Sequence, residues 1–209
     1  MNKATSHLLA LLCLLSARPA ALAASDVELN VVGRITPNAC DVLLSDSGVV
    51  DHGKVPARTL NQYELTPLPG RQLDLSVSCD EPLLFVLVGV DNRADSSLGP
   101  GFYYGLGWNV NAPDERLGTI SLAFRNTMAD GEPALVLASS NNGVTWFPET
   151  NAYPNNYMGF AKPGTLVPEP HRLLAAALQV NTSINAASFL TLNQEVPLDG
   201  AIVLDLRYL

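Results

Sequence analysis

Four consecutive residues, Asp51-His52-Gly53-Lys54, put a carboxylate, an imidazole and an amine side by side, as general acid–base chemistry would require. The same four residues fit a turn between Gly48-Val49-Val50 and Val55-Pro56-Ala57, and the turn is the favoured reading. Acid pairs occur at Asp26/Glu28 and Asp114/Glu115, but neither context suggests the cleft that paired glycosidase carboxylates need. Motifs of the G-x-S-x-G, H-E-x-x-H and C-x-x-C kinds are missing, as is a glycine-rich phosphate loop. The segment DNRADSS offers oxygen ligands without the number and spacing of a calcium loop. No catalytic residue, metal or cofactor is expected, and the chain is read as a non-enzyme.

Aromatic residues are the second chemical candidate. Tyr103, Tyr104, Trp108 and Trp146 fall in a Gly- and Asn-rich stretch between Asp91 and Gly164 that reads as long loops or an inserted hairpin. Such rings can line a carbohydrate-binding surface or anchor loops to a core, and the second role is the commoner. The four are retained as a candidate ligand surface for a host or surface glycan.

Three cysteines remain to be placed. Cys13 lies in the apolar run LLALLCLLSA, which follows Lys3 and precedes Ala21-Leu22-Ala23, an A-x-A cleavage pattern. Residues 1–23 are therefore expected to be a secretory signal peptide, too short in its apolar part to span a bilayer. That leaves Cys40 and Cys79 in an exported chain, where one pair is read first as one disulfide. Closing that loop is worth about 4 kcal/mol by chain entropy. Removing Lys3 and Arg18 from the 12 basic residues leaves 10 against 20 acidic ones, net −10. Nucleic acid and anionic lipid are poor partners for such a surface, and no nucleic acid is expected.

The elements that carry these residues read as strands. RQLDLSVSC alternates Leu73, Leu75, Val77 and Cys79, and LLFVLVGV is a continuous apolar run of the kind buried on both faces. LGTISLAF, PALVLAS and the last segment, 201–209, continue the pattern. LLAAALQVN could be helical by propensity, but Pro168 and Pro170 before it and VNTS after it favour a strand. Turn clusters such as PLPG, ADGEP and SSNNG separate the strands. Short strands with this punctuation predict an all-β sandwich in one domain.

Both ends of the expected mature chain are apolar and alternating. Val27, Leu29 and Val31 need a core to enter, and Ile202, Leu204, Leu206 and Tyr208 form a strand whose free side is an aggregation hazard. Both needs are met if one molecule's first strand fills a groove beside another's last strand. Strand addition of this kind underlies chaperone–pilin donor-strand complementation, and a head-to-tail contact generates a fibre when it does not close.

The segments VVGRITPNACDV, GVVDHGKVPARTLN and LDLSVSCDEP resemble the first strands of chaperone–usher fimbrial subunits, where an early cysteine pairs with one closing the second strand. VPLDGAIVLDLRYL, with Tyr208 penultimate, is similar to their chaperone-recognition end. The likeness covers the whole expected mature chain, especially residues 27–95 and 185–209, and is greatest to a fimbrial-like branch grouped as a domain of unknown function. It implies an incomplete, pilin-type immunoglobulin-like β-sandwich at 37–209 with a loop-rich insertion, preceded by a donor-strand extension at 24–36. It further implies a periplasmic chaperone that lends a strand and holds the carboxylate of Leu209, and an outer-membrane usher that exchanges it. Other fimbrial subunits, in a homo- or hetero-polymer at the cell surface, would be the final partners. By position, Val27, Leu29, Val31 and Gly33 would be donor residues, and Ile202, Leu204, Leu206 and Tyr208 would line the acceptor side.

Overall fold

Alternation decides the strand Arg71–Leu83: Leu73, Leu75, Val77 and Cys79 are buried while Asp74, Ser76, Ser78 and Asp80 face solvent. Eight principal strands follow the same logic. They are β1 (Cys40–Leu44), β2 (Arg71–Leu83), β3 (Phe85–Asp91), β4 (Gly118–Ala129), β5 (Leu135–Ser139), β6 (Tyr157–Ala161), β7 (His171–Ile184) and β8 (Ile202–Tyr208). The computed structural model describes residues 39–209. The expected signal peptide and the donor positions Val27, Leu29, Val31 and Gly33 lie outside the described residues.

The strands form two antiparallel layers. A seven-stranded sheet runs β1-β2-β7-β4 and ends on Tyr104–Gly105, with Thr66–Pro67 beside β7 and Glu132–Pro133 beside β4. A five-stranded sheet runs from Phe147–Pro148 through β5, β6 and β3 to β8. Trp108–Asn109 and Ala112–Arg116 make a separate small hairpin. The all-β sandwich expected from the sequence is the observed class.

Strand β7 shows why propensity yields to neighbours. Its Leu174, Ala176, Leu178, Val180 and Ile184 are buried in alternation, and it pairs with β2 on one side and β4 on the other. Two ladders of hydrogen bonds outweigh the helix preference of three consecutive alanines. The stretch 91–164 is more regular than loops or one inserted hairpin. Besides β4 and β5, which cover the expected strands, it contributes β6 and the small hairpin.

Between the layers sits one apolar core. Phe160 is 1% exposed and packs against Phe85 and Phe124, with ring centroids 6.0 and 5.7 Å away. Tyr104 is fully buried, and its hydroxyl donates to the Ala152 carbonyl at 2.8 Å. Burial pushes that phenol's pKa up, and Asp91 adds to the shift. Gly89 in β3 makes room for the ring, since a methyl group there would strike the Tyr104 hydroxyl.

The outer face of the five-stranded sheet is also covered. Val86, Val88 and Leu137 are buried there, although they alternate with core-facing neighbours. Trp146 and Pro168 lie over Gly159, where an added methyl would meet both rings. The Arg207 guanidinium lies 5.6 Å from the centroid of the Tyr157 ring beside them.

Two links tie elements that are distant in sequence. Cys40 and Cys79 stand opposite in the β1–β2 register and are joined by a disulfide. The buried His171 ring on β7 reaches Asp130 Oδ2 through Nδ1 at 3.0 Å and the Phe160 carbonyl of the other sheet through Nε2 at 3.3 Å. Partial burial works against the Asp130 charge. The Leu173 N–H, the His171 ring and the Arg172 N–H outweigh it and hold the carboxyl below its ordinary range. That contribution is present above the ordinary carboxylate range and is lost as pH falls through the depressed value.

Phe160→Ala removes the ring that joins the aromatic contacts of both layers. It should lower stability by about 3–5 kcal/mol, read as a drop in the urea midpoint with an unchanged slope.

Candidate functional site

The groove begins where β1 stops. Asp46, Ser47 and Gly48 take three successive left-handed conformations, with φ of 50°, 54° and 73°, and a strand cannot continue through them. The Ser45 hydroxyl accepts the Asp74 N–H as the chain turns away. Beyond this point β1 no longer borders β2, and an irregular segment bearing Val50, His52 and Val55 runs on instead.

On the other layer, β8 pairs with β3 through seven residues, from Ile202↔Asp91 to Tyr208↔Phe85. It is the edge of its sheet, and no other strand among the described residues borders it. The side chains of Ile202 and Leu204 turn toward the core and line an open groove of about 700 Å³. Leu44, Val50 and Val55 form the facing wall, and Leu73, Leu122 and Val180 lie at its base.

The groove has a closed end. The Tyr208 hydroxyl accepts the Cys40 N–H at 2.9 Å, so the edges of the two sheets are in direct contact there. Leu206 packs on the core, whereas Tyr208 and Leu209 are half exposed. The remaining boundary comes from the connection between β7 and β8, which brings Leu190 and Val196 to the lining.

That connection is stapled twice. Glu115 accepts the Thr191 N–H at 2.6 Å, the Thr191 hydroxyl at 2.7 Å and the Asn109 amide at 2.8 Å. These bonds hold its carboxyl below the usual range, the Thr191 backbone bond contributing most. Farther on, the Arg93 guanidinium forks onto both Asp199 carboxylate oxygens at 2.8 and 3.0 Å.

One imidazole lies in this apolar lining. His52 Nε2 is 3.0 Å from the Thr182 hydroxyl, and Nδ1 is buried with no hydrogen-bond partner. Burial pushes the ring's pKa down, Arg71 pushes the same way, and Asp51 opposes both. The Asp51 carboxylate accepts the Gly53 N–H at 2.7 Å, as the turn reading of Asp51–Lys54 requires. Carboxylate and imidazole thus engage different partners rather than each other. Sequence reading missed His52 as a wall of the groove; the available signal was the pair of valines, Val50 and Val55, flanking the turn.

The four aromatics singled out in the sequence have separate surroundings. Tyr104 belongs to the core, Trp146 covers Gly159, and Trp108 lies 5.4 Å beneath the Arg116 guanidinium. Tyr103 is exposed and borders a small cleft of about 210 Å³ with Phe102, Asn151 and Tyr153. Phe102 and Tyr153 had no place in the sequence reading; they meet edge to face at 5.9 Å. Among the described residues, no group of three or more His, Cys, Asp or Glu could hold a metal ion.

Residues 29–102 match the family described as "Protein of unknown function (DUF1120)". That segment holds the two disulfide cysteines, β1, β2 and β3. The chain is similar to Protein GltF of Escherichia coli (strain K12), 24% identical over 252 aligned residues covering 100% of this chain and 98% of that protein. It is also similar to the uncharacterized protein YhcF of the same strain, 26% identical over 226 residues, covering 90% of this chain and 93% of YhcF.

Tyr208→Phe removes the acceptor of the Cys40 N–H and nothing else. It should cost about 1 kcal/mol, and hydrogen exchange at the Cys40 amide should accelerate while amides at the centre of β7 keep their protection.

Proposed function

We propose that this chain is a structural subunit of a chaperone–usher fimbria and polymerises by strand donation. The observation that carries the reading is the edge of β8 beside an open apolar groove. An extended segment laid there would gain main-chain hydrogen bonds from β8, and each fully buried valine or leucine would add roughly 1.5–3 kcal/mol. Val27, Leu29 and Val31, with Gly33 continuing the register, form a segment of that pattern within this chain's own sequence. Supplied from another subunit, it makes a head-to-tail contact that extends into a fibre. Until then the bare edge needs a temporary partner, the role of a periplasmic chaperone before an outer-membrane usher exchanges the strand. The fimbrial resemblance of the two ends supports the same reading, and the acidic balance of the chain disfavours nucleic acid. With a chaperone and usher co-expressed, the parent chain should form surface fibres visible by electron microscopy. Leu29→Asp with Val31→Asp should abolish them while leaving the subunit folded. Undiminished fibres from that double variant would overturn the proposal.

A second reading, adhesion to a glycan, is favoured by the cleft that Phe102, Tyr103, Asn151 and Tyr153 line, where exposed rings flank a polar amide. On a glycan array, Tyr103→Ala should reduce binding at least tenfold without affecting fibre formation. Failure of the parent fibres to retain any glycan would remove this reading.

A further inference from the structure

His52 is the imidazole of the groove, and two atoms define its situation. Nε2 is bonded to Thr182 and Nδ1 is buried without a partner. If the Thr182 hydroxyl accepts from Nε2–H, a second proton must go onto Nδ1, where no acceptor waits. If the hydroxyl donates to Nε2 instead, the second proton goes onto Nε2, the hydroxyl turns to accept it, and Nδ1–H is the orphan. By either route the cation holds a buried Nδ1–H without an acceptor, in a lining of Leu44, Val50, Ile202 and Leu204, whereas the neutral Nε2–H tautomer leaves no donor unsatisfied.

The charged groups around the ring do not remove this penalty. Asp51 favours the cation but is engaged with the Gly53 N–H. Arg71, at the start of β2, disfavours it, and its guanidinium is turned onto the Asp51 carbonyl at 3.4 Å. Thr182 is the neutral contact from β7. Lys54 and Glu195 are exposed charges of opposite sign among the residues lining the groove. In the open groove the ring's pKa is already lowered, chiefly by burial.

The occupant follows from the sequence outside the described residues. Val27–Gly33 is seven residues long, as is β8, and it alternates apolar side chains at the spacing a groove on one face of a strand accepts. We infer that His52 makes the groove's hold on this segment of a second copy depend on pH, tight when the ring is neutral and weak when it is charged. This rests on the strand-donation reading above. Covering the groove takes the ring further from water, so occupancy must expel a proton wherever the free ring carries one. Affinity is then full above the free ring's pKa, which already lies below the ordinary 6.5, and declines as pH falls through that lowered value.

The test uses the exported full-length chain carrying Leu29→Asp and Val31→Asp, which can accept a strand but not donate one. The probe is a synthetic peptide of residues 25–36 with Asp26→Asn and Glu28→Gln, so that no peptide side-chain carboxylate titrates. Peptide affinity should fall between pH 7.5 and pH 5, by up to tenfold for each unit that occupancy depresses the ring. The His52 ring resonance, assigned by its loss in His52→Asn, should titrate at lower pH in the loaded protein than in the free one. His52→Asn and His52→Gln should bind the peptide with no slope over the same range. Equal affinity at both pH values in the parent, or a slope that survives in both variants, overturns this inference alone. No binding at any pH overturns it together with the strand-donation reading.

Discussion

A strand edge must pair, be covered or be guarded, and among the described residues β8 is paired on one side only. Its hydrogen bonds run to β3 along all seven residues. The facing edge, β1, is five residues long and is turned away by three left-handed residues. Were β1 to continue, it would roof the hydrophobic base of the groove; because it stops, Leu73, Leu122 and Val180 are reached from the side. The short strand β1 and the edge strand β8, whose outer side has no strand beside it among the described residues, are therefore two halves of one arrangement, and the Tyr208–Cys40 bond fixes how close the edges come. The disulfide then holds the start of β1 to β2, so the wall stays in register with the layer behind it.

Much of the layer structure could be read from side-chain alternation. β2 and β8 show period two plainly, β3 is apolar on both faces, and the pairing of Cys40 with Cys79 followed from expected export and from the lack of other ligands. β7 was the ambiguous case, because an alanine-rich run satisfies helix propensity and strand burial equally well until its neighbours are known. β6 escaped notice because Tyr157, Met158, Gly159, Phe160 and Ala161 are mixed in size, and the glycine makes sense only once Trp146 and Pro168 are seen above it.

The groove was half legible. Ile202, Leu204 and Leu206 announced a core-facing stripe, but the opposite wall has no period to find. It is built from an irregular segment after β1 and from a connection held by Glu115 and Arg93, whose partners Thr191 and Asp199 lie 76 and 106 residues away. Contacts of that separation leave no local pattern. The aromatics divided between the two roles weighed for them, core anchoring having been the commoner. Their loop-rich sequence context resembles a surface, whereas Tyr104 is fully buried and Trp146 lies over Gly159.

The lid of Trp146 and Pro168 over Gly159 has one more effect. A bare β-sheet face invites a second sheet to stack on it at about 10 Å, the geometry of lateral bundling. Here the outward face of the five-stranded layer already carries its own third layer of side chains. Where Trp146 and Pro168 stand, a second sheet could not close to that spacing against the five-stranded layer.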